Sequence, residues 1–141
     1  MADGLALEPE ALLEFIAEVF PQMAGRFRIL DLAPGRLSCE MSVTEADLRP
    51  GDTVSGPTMF AAADCAFYLA TLAMIGREAL TVTTSASINF MRKPAPGPIR
   101  AEARILKLGR SLSVGDVLLY SADMDAPVAQ ASMTYSIPPS R

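Results

Sequence analysis

Two hydrophobic periods alternate along the chain. Residues 9–20, PEALLEFIAEVF, place Leu12, Ile16, Val19 and Phe20 at helical spacing behind Pro9, and Pro21 stops the pattern. The period then shortens to two. Segments 26–33 and 36–44 read as strands joined by a Pro34-Gly35 turn; in the second, Leu37, Cys39, Met41 and Val43 alternate with Arg36, Ser38, Glu40 and Ser42. A polar stretch, TEADLRPGDT, leads to a helix from about 56 to 76 that is apolar almost all round, with Ser55 and Gly56 as capping residues and Pro57 in its first turn. Four strand-like runs follow at 80–92, 98–108, 111–122 and 127–137, with PAPGP (94–98) and LGRS (108–111) as turn signals. In the first of them Val82, Ala86, Ile88 and Phe90 share one face, and Thr83, Ser85, Ser87 and Asn89 the other.

This order, helix, two strands, long helix, four strands, predicts an α+β fold in one domain spanning 1–141. Short connections between the later strands favour an antiparallel sheet, and an all-apolar helix needs a curved sheet wrapped around it. The same helix is marginally long enough to span a bilayer. Asp64 at its centre would cost roughly 2.5–3.5 kcal/mol there, and its many alanines offer little to offset that. A core helix is expected, with no membrane partner.

Composition narrows the chemistry. The chain has 141 residues, half of them hydrophobic, and a net charge of −4. Its pI is near 4.8, whereas a nucleic-acid binder needs a basic face. No basic n-region precedes a leader-like apolar run, so a cytoplasmic location is expected. Cys39 and Cys65 have no CxxC or metal spacing and suit buried thiols in a reducing compartment. There is no histidine, which removes Ser-His-Asp and Cys-His triads, imidazole metal sites and any histidine base. Lys93 and Lys107 are the only lysines, and neither lies in an SxxK pattern. An acid–base or nucleophilic group would therefore be a carboxylate.

One carboxylate stands out. Residues 55–64, SGPTMFAAAD, open the apolar helix, and Asp64 is its only charge. Such an Asp is either a structural group hydrogen-bonded to a neighbouring backbone or hydroxyl, or a carboxylate kept in a dry cleft as base or nucleophile.

The arrangement resembles the hotdog-fold acyl-CoA thioesterases of the PaaI type, within the 4-hydroxybenzoyl-CoA thioesterase superfamily. In that family the central helix starts with His-Gly-Gly and carries an acidic residue eight positions after the first glycine. Here Ser55-Gly56-Pro57 stands at those positions, and Asp64 at the place of the acid. The resemblance runs from the N-terminal helix through INFMRKPAPG (88–97) to the last strand. It implies a hotdog fold, hydrolysis of an acyl- or aryl-CoA thioester, and catalysis by Asp64 with Gly56 and Ser55. No cofactor or metal is expected, since CoA is part of the substrate. Arg49 replaces the family's frequent Asn or Gln, and Pro57 has no N–H to donate, which leaves the Gly56 amide as oxyanion donor.

Eight helical residues span about 12 Å, whereas a carboxylate must come within roughly 3–3.5 Å of the carbonyl it attacks, or hold a water there. Asp64 and Gly56 of one site should then come from two subunits of a dimer, as the resemblance also implies; dimers pairing into tetramers remain open. Substrate contacts are expected from Arg49, Pro57, Phe60, Phe67, Tyr68, Asn89 and Phe90. For the CoA phosphates the candidates are Arg92, Lys93, Lys107, Gly109 and Arg110, whereas Arg100 and Arg104 alternate with apolar residues and read as a solvated strand face. The alternative function is a non-catalytic acyl-CoA or lipid-binding protein of the same fold. A dehydratase is disfavoured, because that chemistry in related folds relies on histidine.

Overall fold

The computed structural model describes residues 4–139. Helix α1 spans Pro9–Val19, with proline in its first turn and Glu10 at its positive end. It buries Leu12, Phe15 and Ile16 against the core. Val19 and Phe20, expected on the same buried stripe, are more than a third exposed. The helix overruns the core edge there, and Phe20 is its C-terminal cap.

Strands β1 (Phe27–Ala33) and β2 (Arg36–Met41) form the expected hairpin. The polar stretch that follows is more ordered than its composition suggests. Residues Glu45–Asp47 make a 3-10 turn, and β3 (Leu48–Arg49) pairs with β4 (Thr53–Val54) in a small hairpin. Gly51 and Asp52 at its tip adopt φ of 95° and 55°, the left-handed conformation that a tight reversal requires.

Helix α2 spans Gly56–Ile75. Among the described residues it is the one helix long and apolar enough to cross a bilayer, yet 72% of that apolar window is buried in the fold. The remaining strands are β5 (Val82–Phe90), β6 (Ile99–Leu108), β7 (Leu112–Tyr120) and β8 (Ala129–Ser136). All pairings are antiparallel, in the order β1-β2-β6-β7-β8-β5. The sheet wraps α2, giving the hotdog architecture.

Alternation explains the layering. Leu37, Cys39, Ile99, Ala101, Val117, Leu119, Ala131 and Met133 face α2 and are almost fully buried. On the outer face Arg104 pairs with Asp116 at 3.0 Å and Arg100 with Glu102 at 2.7 Å, as a solvated face predicts. Small residues let helix and sheet approach closely. A Cβ at Gly115 would clash with the Arg104 carbonyl and come within 2.6 Å of the Phe67 ring.

One strand departs from simple alternation. The register of β5 shifts between Thr83 and Ser85. Thr83 therefore opposes Tyr135 on the inner side, while Val82 opposes Ser136 on the outer side. The expectation that Val82 shares a face with Ala86, Ile88 and Phe90, and Thr83 with Ser85, Ser87 and Asn89, is reversed for these two residues by this bulge. Ala86 and Phe90, although on the inner face, are exposed, because β5 is the last strand of the sheet and lies at its edge.

Candidate functional site

Two clefts open at opposite ends of β5. The register places Phe90 beside Ala129 and Leu119 at one end, and Val82 beside Ser136 and Leu112 at the other. Eight residues of strand separate these ends by about 26 Å.

The first cleft, about 370 Å³, opens beside the N-terminus of α2 and is lined by Gly56, Arg49, Phe90, Arg92 and Lys93 among others. Its chemistry follows from the amides of the first helical turn. Pro57 has no N–H. The Thr58 N–H donates to Ser55 Oγ at 3.3 Å, and the Met59 N–H to the Ser55 carbonyl at 3.0 Å. That leaves the Gly56 N–H, for which no protein acceptor occurs among the described residues. A free amide at a helix start, beside three cations and no carboxylate, suits a polarised carbonyl and anionic groups.

The second cleft, about 290 Å³, lies between the end of α1 and the start of β5, with Asp64, Cys65, Phe20, Tyr68, Thr83 and Tyr135 in its wall. Asp64 is half-buried. Its Oδ1 accepts from Thr83 Oγ1 at 2.7 Å, and Tyr135 Oη lies 2.7 Å from the same oxygen and 2.9 Å from the Asp64 carbonyl. Burial, and then the charge of Asp64, push the Tyr135 hydroxyl well above its ordinary range. It therefore stays protonated and remains a donor. The Asp64 Oδ2 accepts no hydrogen bond from the described residues, so one oxygen is anchored and the other is free. Cys65, next in the helix, is no competing nucleophile: burial and the Asp64 charge push its thiol up to about 12.

The expected site residues separate accordingly. Asp64 and Tyr68 line one cleft; Gly56, Arg49, Phe90, Arg92 and Lys93 line the other. Ser55 is the helix cap, its oxygen occupied by the Thr58 amide. Pro57 and Phe60 are exposed on α2, outside both clefts. Phe67, expected at the substrate, is instead enclosed in the core with no exposed surface, tilted against Tyr135 at 5.8 Å. The sheet covers this part of α2, whereas Phe60, seven residues earlier on the same helix, lies exposed. Asn89 points to the outer face and donates to Gln130 at 3.1 Å. Lys107, Gly109 and Arg110, on the exposed β6–β7 hairpin, lie at the opposite sheet end from Arg92 and Lys93, so one chain does not gather them into a single cluster. Thr83 and Tyr135 were missed. Strict alternation turns Thr83 outward, and nothing local links Tyr135 to a residue 71 positions earlier.

A family model described as the thioesterase superfamily matches residues 51–128. A protein from a Silicibacter species, assigned as a thioesterase, is 54% identical over 96% of this chain and 94% of its own, with a TM-score of 0.88. The phenylacetic acid degradation protein PaaI from Thermus thermophilus is 25% identical over 87% of this chain and 97% of its own, with a TM-score of 0.68. A Streptococcus mutans protein solved with acetyl-CoA has the same fold, at 22% identity over 82% of this chain and 90% of its own and a TM-score of 0.70. Among curated proteins none matches significantly.

Proposed function

Because the chain belongs to the thioesterase superfamily, we propose that it hydrolyses an acyl-CoA thioester at sites shared between two subunits, with Asp64 as the reacting carboxylate and the Gly56 amide as oxyanion donor. The observation that carries this is the position of the two half-sites at opposite ends of one edge strand. Strand β5 has nine residues, VTTSASINF, without charge or proline, and so nothing that blocks pairing along its free edge. An antiparallel pairing of β5 with its twofold copy sets the Phe90 end of one chain against the Val82 end of the other. Gly56 of one subunit then meets Asp64 of its partner, twice per dimer. Exposed Phe90, Met91 and Val82 would be covered by the same contact.

In such a site the substrate carbonyl accepts from the Gly56 N–H. Asp64 Oδ2 takes a proton from a water as the water oxygen bonds to the carbonyl carbon. Collapse of the tetrahedral intermediate breaks the C–S bond, and the proton passes to the departing thiolate. Attack by Oδ2 itself, giving an anhydride that water opens, uses the same free oxygen. The anchored Oδ1 fixes the carboxylate in either route. Arg92 and Lys93 line the same cleft as Gly56, and in this reading they bind the CoA phosphates; the acetyl-CoA-bound relative supports a ligand of that class.

A second reading, an acyl-CoA binder without turnover, draws on the single free amide in the α2 first turn. Free-thiol release measured over a panel of acyl-CoAs separates the two. A thioesterase with Asp64 in this role turns over and loses at least about a hundredfold in kcat on Asp64→Asn. Saturable binding without thiol release establishes the second reading instead.

A further inference from the structure

We infer that Asp47, which lies outside both clefts, is a positioning residue that aims the Gly56 amide through a relay of hydroxyl groups; the inference rests on the thioesterase reading. Asp47 comes from the 3-10 turn and reaches the N-terminus of α2. Its Oδ2 accepts from the Thr44 N–H at 2.8 Å and from Arg26 at 3.1 Å. Its Oδ1 accepts from Thr58 Oγ1 at 2.9 Å. Its own carbonyl accepts from the Ser55 N–H at 2.8 Å. The backbone and side chain of one residue thus hold both the cap and the first turn of α2. The next residue, Leu48, starts the hairpin that carries Arg49 over the same cleft.

The direction of the relay follows from valence. An ionised carboxylate only accepts, so the Thr58 hydroxyl must spend its proton on Asp47. The Thr58 oxygen is then free to accept from Ser55 Oγ at 3.0 Å, and Ser55 Oγ in turn accepts the Thr58 N–H. Each hydroxyl proton in the cap is directed away from the cleft. Of the polar hydrogens of the cap itself, only the Gly56 N–H is then left without an acceptor among the described residues, and Gly56 lines the cleft. An amide at position 47 removes this constraint. Its NH₂ can donate to Thr58, which then donates to Ser55 and turns the Ser55 proton outward. Donors are worth most when fixed before the charge develops, so a loosened cap costs turnover more than affinity.

The test uses the full-length wild-type protein and the variants Asp47→Asn, Thr58→Val, their double and Thr58→Ser, assayed by thiol release from the best acyl-CoA of the panel. Asp47→Asn and Thr58→Val should each lower kcat about tenfold, by misplacing a group that must be aligned to a fraction of an ångström, with KM within about twofold of wild type. The double variant should be no worse than either single, because both cut one relay. Thr58→Ser, which keeps the hydroxyl, should retain near wild-type kcat. Unchanged kcat in Thr58→Val, additive losses in the double, or a loss in Thr58→Ser equal to that in Thr58→Val would each overturn the relay. The Val and Ser variants decide the matter even if Asp47→Asn fails to fold. If wild-type protein releases no thiol from any acyl-CoA, the thioesterase reading falls, and this inference with it. Turnover that ignores Asp47 and Thr58 sinks only the relay.

Discussion

Sharing of the site between subunits makes a quantitative prediction. Take two inactive variants, Asp64→Asn and Gly56→Val. Neither should unfold the chain. Asp64 is held by two hydroxyl groups that an amide oxygen can still satisfy. A Cβ at Gly56 meets the Phe90 ring at 3.5 Å, an ordinary van der Waals contact, so valine introduces no clash at its Cβ and crowds the place where a carbonyl must reach the amide. Each homodimer then carries two broken sites. In a heterodimer, one site combines both defects and the other neither, because its Gly56 comes from the first variant and its Asp64 from the second. Random re-association of equal amounts gives heterodimers as about half of all dimers, each with one working site of two, so about a quarter of wild-type activity returns. The assay is thiol release after reversible dissociation and mixing, with heterodimers counted by native mass spectrometry. Confirmed heterodimers without recovered activity would refute the shared site. Both groups would then have to act within one chain, across the roughly 12 Å that eight residues of helix impose.

Arg92→Ala and Lys93→Ala should raise KM for acyl-CoA more than they lower kcat, since phosphate contacts remote from the carbonyl bind ground and transition states alike. The effect should shrink on acyl-pantetheine substrates, which lack the nucleotide. Gly115→Ala should destabilise the fold by about 3 kcal/mol or more in urea unfolding, at the top of the overpacking range, because the obstruction is the Arg104 backbone carbonyl, which cannot rotate away. Stability should also depend on Asp47 in acid. Burial opposes its ionisation, but the Thr44 amide, the Thr58 hydroxyl and the Arg26 guanidinium outweigh it and hold the carboxyl below its ordinary range. That contribution is complete above about pH 5, where the unfolded carboxyl is ionised too, and is lost as pH falls through the ordinary range to the lower folded value. Denaturation midpoints measured from neutral pH down to about pH 3 should therefore fall less steeply in Asp47→Asn, relative to its own neutral-pH value, than in wild type.

Local patterning was enough to read every long element in order. Helical spacing after Pro9, alternation in the strands and an apolar run behind Ser55 are properties of neighbouring residues, and neighbours are what the sequence states directly. The same locality made Asp64 conspicuous: a charge in an apolar helix is anomalous before any partner is known. The failures lie where a position depends on something distant or on a slip in period. One extra residue in β5 inverts the facing of Val82 and Thr83 and so delivers a hydroxyl to Asp64. Tyr135 reaches Asp64 only because β8 packs its inner face across α2. Phe67 belongs to the core because the sheet curves over that side of α2. The cations at 92–93 and 107–110, close in sequence, are held apart because antiparallel strands carry each successive turn to the opposite end of the sheet. Gly56 and Asp64 are parted by a local rule instead, the rise of eight residues along α2, which turns them into different clefts. Sequence determined which groups exist and the elements that carry them. Which groups meet was decided by strand register and sheet curvature, because those are set by pairings between segments tens of residues apart.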